Sequence, residues 1–121
     1  MYTDIKTFEN ACQVLNIQPL LPDVSMLPEA NQKAVIANYK LDIIQEAINE
    51  DWKPDWSNYS QYKYYPWFEQ SSSGSGFSCH VFGCAYSDSG VGSRRVFSSS
   101  AIAEYVGNQF IDLYNDAMWV E

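Results

Sequence analysis

Apolar residues recur along this chain at two different periods, and the change of period divides the sequence. In "TFENACQVLNI" Phe8, Ala11, Cys12 and Leu15 fall at helical spacing with Thr7 placed to cap, which predicts a short first helix. "QPLLPDVSMLPE" follows, with prolines at 19, 22 and 28. The first two break helix, whereas Pro28 suits the opening turn of the next one, where the N–H it lacks would have no partner. From Pro28 to about Asp51 there is neither Gly nor Pro; Ile36, Tyr39, Ile43 and Ala47 make one stripe, and Leu41, Ile44 and Ile48 lie beside it. An apolar face that wide must be covered from more than one side, so this is the central helix.

After Pro54 the composition turns from helix formers to rings. "QYKYYPWFEQ" has the makeup of a strand, and Pro66 inside it, unable to donate to a ladder, points to an edge or a bulge. "GFSCHVFGCAYS" reads as a second strand and "SRRVFSS" as a third, joined by the flexible "SSSGSG" loop at 71–76 and the turn residues of "DSGVG". A last helix follows, capped by one of Ser98 to Ser100, with Ile102, Val106, Phe110, Leu113 and Ala117 as its stripe. The order is α-α-β-β-β-α, an α+β domain: a three-stranded antiparallel meander with helices packed on one face. There is no internal repeat, and residues 1–121 read as a single domain with enough apolar content for a core of its own.

Charge narrows the functions. Fifteen acidic residues against seven Lys and Arg give a net charge of -8, so no basic field exists to displace counterions from a nucleic acid. The acids are spread along the chain, as on a solubilising surface. "MYTDIKTFENACQVL" has neither a basic start nor an unbroken apolar run, and no window approaches a membrane span. Three cysteines, an odd number, fit a reducing compartment, so the expected location is cytoplasmic.

Catalytic chemistry has little to work with. His80 is the sole histidine. Cys79 and Cys84, five positions apart, would point to opposite faces of a regular strand and so would not converge on a metal, and Cys84 is too far along that strand to be activated by His80. "SGSG" and "SGVG" lack the setting and the lysine of a phosphate loop. No catalytic residue, metal site or cofactor is assigned.

What remains is "DWKPDWSNYSQYKYYPWFE", eight aromatic residues in nineteen positions. On a strand, Tyr62, Tyr64 and Phe68 share one face and Lys63, Tyr65, Trp67 and Glu69 the other; the second face carries the charges and is expected to look outward. In the second strand Phe77, Cys79, Val81 and Ala85 make a core row, leaving Ser78, His80, Phe82, Cys84 and Tyr86 opposite. The candidate binding surface is therefore Tyr65, Trp67, His80, Phe82 and Tyr86, with one of Arg94 and Arg95 nearby. Aromatic residues and arginine anchor protein interfaces, so the expected partner is another protein or a second copy of the chain, not a nucleic acid or a membrane. Three other readings stay open. The rings are buried under the 52–61 loop; or a pocket between Trp52, Trp56, Tyr59 and the sheet takes a sugar or nucleotide, with Asp51 or Asp55 as acid/base; or the acidic surface is a decoy for a nucleic-acid-binding protein. A one-residue slip in strand pairing would exchange the two faces.

The segments "LPDVSMLPEANQKAVIANYKLDIIQEAINEDWKPDW", "YYPWF" and "GSRRVF" running into "SSSAIAEYVGNQFIDLYND" resemble an uncharacterised family of small proteins from gut anaerobic bacteria and their phages. The likeness spans nearly the whole chain, with "KPDWSNYSQYKYYPWF" its most specific part. It implies a phage- or prophage-borne accessory protein, in the host cell or virion-associated, and transfers no functional residue, since the family has no assigned activity.

Overall fold

A computed structural model describes residues 1–70, 76–85 and 88–120, and at 80–82 the backbone alone. Helix α1, Phe8–Leu15, starts where the Thr7 hydroxyl accepts the Asn10 N–H at 3.0 Å and ends at Asn16, whose left-handed backbone (φ 56) a short polar side chain tolerates. Helix α2, Glu29–Asn49, begins after Pro28 and runs uninterrupted. Its buried row is Ala37, Leu41, Ile44 and Ile48 with Ala47 beside it, while Ile36, Tyr39 and Ile43 form the half-buried flank. It packs against α1 on one side and the C-terminal helix on the other, the central position its wide apolar face requires.

Strands β1, Lys63–Gln70, and β2, Phe77–Ala85, pair antiparallel. Beyond a short 3-10 turn at Ser93–Arg95, the chain returns at Phe97, whose N–H and C=O bond reciprocally with Tyr64 at 2.7 and 3.0 Å. Counted as β3, this bridge gives a three-stranded antiparallel sheet ordered β2-β1-β3, so the last segment lies against β1 and not β2. The α+β class and the order α-α-β-β-β-α are as the sequence predicts.

The last helix is divided in two. Helix α3, Ser100–Gln109, is capped by the Ser99 hydroxyl accepting the Ile102 N–H, and α4 covers Ile111–Met118. Between them Phe110 leaves helical geometry (φ -111, ψ 27), although its N–H still reaches Val106 and its C=O still accepts from Leu113 and Tyr114. The apolar stripe continues through the elbow, so its period does not reveal the break. The partners do: α3 lies on both strands of the ribbon and α4 lies along α2, and a straight helix would not serve both. Phe110 and Tyr114, both buried, join the core at the bend.

Tyr114 is 3% exposed, and its ring sits 4.7 Å from that of Phe68. Burial pushes its phenol well above the usual tyrosine range, against a weaker opposing pull from Arg95. The folded state thus holds this proton more tightly than the unfolded chain, which releases it near pH 10. Its contribution is whole below that pH and is lost as pH rises further, by about 1.4 kcal/mol per pH unit at most. Tyr114→Phe, keeping the ring, is expected to flatten the fall in urea midpoint between roughly pH 10 and 11. Cys12, Cys79 and Tyr105, also raised by burial, will supply the slope that remains.

Candidate functional site

Alternation along β1 places Lys63, Tyr65, Trp67 and Glu69 on the face turned from α3, and burial grades along that row. Lys63 is fully buried, against the expectation that its charge marks an outward face. The 52–61 loop folds over it: the ammonium donates to the Asn58 carbonyl at 3.0 Å and stands 5.1 Å from the centre of the Trp56 ring. The Trp56 indole N–H in turn donates to the Ser93 hydroxyl at 2.6 Å, and Gln61 fastens the loop by accepting from the Asp55 N–H and donating to the Lys53 carbonyl. The lysine ammonium therefore stands against the Trp56 ring, in the gap where a ligand pocket between this loop and the sheet would lie, and Tyr59 stays exposed. Asp55 is no better placed as an acid. Its carboxylate accepts from the Ser57 hydroxyl and N–H, and these bonds, in that order, hold its carboxyl below the usual range, with a smaller pull from Lys63.

The other end of the row is open. Tyr65 pairs with Gly83, and its ring fills the space that a side chain there would occupy. Trp67, 50% exposed, pairs with Val81 and has exposed Glu69 and Ser78 as neighbours. Tyr65 and Trp67 are thus brought onto one face, as the sequence predicts.

The β2 half of the predicted surface does not follow. Trp67 pairs with Val81 and Phe68 with Cys79, so His80 is an extra residue, a bulge that shifts every later position by one. Phe82 stands opposite Pro66 and Cys84 opposite Tyr64, the β1 row on the helix side. The positions beside Tyr65 and Trp67 are Ser78, Val81, Gly83 and Ala85, so the expected core row of Val81 and Ala85 and outer row of Phe82 and Cys84 are both corrected by this irregularity. Tyr86, and the side chains of His80 and Phe82, lie outside the described residues. The bulge also returns Cys79 and Cys84 to one row, although four residues of strand keep them apart. Among the described residues no group of three or more His, Cys, Asp or Glu is placed to hold a metal. Arg94 and Arg95 both turn to Asp42 on α2, not to Trp67.

One exposed feature escapes the sequence reading. The connection from α1 to α2 leaves Ile17, Leu20, Leu21, Met26 and Leu27 exposed, with Met26 at 91%. Its signal is there in retrospect: leucines between prolines at 19, 22 and 28 lie in no helix or strand through which they could be buried.

No family model matches this chain, and neither a curated protein nor a solved structure matches it. No helix among the described residues is long and apolar enough to cross a membrane.

Proposed function

We propose that this protein is a non-enzymatic interaction module, a phage- or prophage-associated accessory protein of the host cytoplasm or virion, which binds a protein partner or a second copy of itself. The observation that carries the reading is Trp67, half exposed on the open face of a paired ribbon beside a Tyr65 held over Gly83. A ring already held in place, as Tyr65 is over Gly83, loses little side-chain freedom on association, and large aromatic side chains are the usual anchors of interfaces. The apolar 17–27 connection adds surface of the same character. Among the described residues the chain's own loop is bonded at the Lys63 end of the row, while Trp67 at the other end is half exposed.

Size-exclusion chromatography with light scattering over a concentration series tests this directly. The wild type is expected to move toward dimer mass, and Trp67→Ser to associate at least about tenfold more weakly with an unchanged circular dichroism spectrum. Two well-folded monomers at every concentration would turn the search to a different protein partner. A misfolded Trp67→Ser would place the ring in the core and end the proposal.

A further inference from the structure

Both arginines of this otherwise acidic chain stand at one groove. It opens between α2, β1, α4 and the 90–95 turn, holds about 510 Å³, and is floored by Leu41, Phe68, Tyr114 and Met118. That volume lies within the roughly 300–1,000 Å³ of small-molecule sites, and an apolar floor with few convergent polar groups is their usual makeup.

The polar groups are unequally committed. Asp42 is shared by two guanidinium groups, with Oδ1 on Arg95 Nη1 and Oδ2 3.8 Å from Arg94 Nη1. Arg95 Nη1 also donates to the Arg94 carbonyl at 2.9 Å, and Nη2 donates to the Asn38 carbonyl at 3.2 Å and the Asn38 side-chain oxygen at 3.0 Å. Arg95 is therefore engaged within the protein and 18% exposed, whereas the Arg94 side chain is 78% exposed and, among the described residues, makes only the long contact to Asp42. Among the described residues that line the groove, two guanidinium groups against one carboxylate leave one positive charge in excess at the rim.

We infer that this groove binds a small organic monocarboxylate with an aromatic or branched aliphatic body. The body lies on the Leu41, Phe68 and Tyr114 floor, and the carboxylate takes the two-pronged bond that Arg94 offers. The charge count selects the class. One carboxylate balances the single unmatched guanidinium, while a phosphoryl group carries nearly two charges and would be set beside Asp42. Tyr65 lines the groove at its edge and Trp67 does not, so this inference rests on the arginines and the apolar floor and not on the proposed interaction face.

Isothermal titration at low ionic strength with 4-phenylbutyrate, indole-3-acetate and octanoate, each beside its primary amide, tests it. At least one acid is expected to bind at one site with Kd of roughly 10 µM to 1 mM, and its amide at least about tenfold more weakly. Arg94→Gln, at an exposed position whose folding is checked by Tm, is expected to weaken the acid about tenfold. Val91→Glu, which adds a negative charge to the rim without touching Arg94, should act in the same direction, and Trp67→Ser should bind as wild type. The inference is overturned if none of the three acids binds, if acid and amide bind alike, or if both rim variants leave binding unchanged. Loss of binding in folded Trp67→Ser alone would move the site to the other face and overturn it equally.

Discussion

A valine in place of Gly107 is expected to lower stability by about 3 kcal/mol, a large share of the roughly 5–15 kcal/mol available to a domain. Helix α3 meets the ribbon at this buried glycine. A Cβ there would stand 2.5 Å from the Cys79 sulfur and 2.7 Å from the Pro66 Cβ. The thiol can rotate away. The proline ring cannot, so the helix must lift, and with it the contacts of Val106 and Phe110 with the core. Alanine is the graded control: it meets the same two atoms but gains about 1 kcal/mol of helix propensity over glycine, so its net loss should be about 1–2 kcal/mol. Urea unfolding followed by circular dichroism measures both variants. Adding Cys79→Ala to Gly107→Ala should give less than the sum of the separate losses, because the crowded sulfur is gone. Wild-type stability in Gly107→Val would mean that α3 does not seat on the ribbon as described.

Lys63→Ala is expected to lower stability by a similar amount, about 3 kcal/mol, through different physics. The substitution empties a fully buried stem, leaves the Asn58 carbonyl without its lysine donor and removes the cation from the Trp56 ring. Lys63→Met keeps most of the volume and loses the polar contacts, so it should fall about midway between alanine and wild type. Because the lysine holds the loop to the sheet, both variants should also redden Trp emission and speed proteolysis within 52–61 before global unfolding. A destabilised Lys63→Ala whose loop remains protected would show that the lysine fills space without tethering.

Much of the architecture could be read from local chemistry. Thr7 and Ser99 cap the helices that their positions in the sequence suggest, and the wide face of α2 correctly makes that helix central. On β1, which carries no extra residue, simple alternation suffices to bring Tyr65 and Trp67 together. What was not legible depends on pairing or on distant contacts. The extra residue at His80 is a property of two strands held in register, and nothing in "SCHVFGC" announces it. Lys63 looks like a surface residue until a loop from 52–61 lies over it. Arg95 and Asp42 are 53 positions apart, so no local pattern could predict their groove. The break at Phe110 is set by two packing partners, while the apolar stripe runs on regardless.

The bulge at His80 makes strand length a carrier of information. Were the same residues paired without that bulge, Phe82 and Cys84 would turn to the side that Val81 and Gly83 now share with Trp67. A single-codon deletion of His80 would therefore close the bulge and leave Phe82 opposite Pro66, and an alignment of such a shortened copy that places no gap within β2 would compare surface positions of one with core positions of the other.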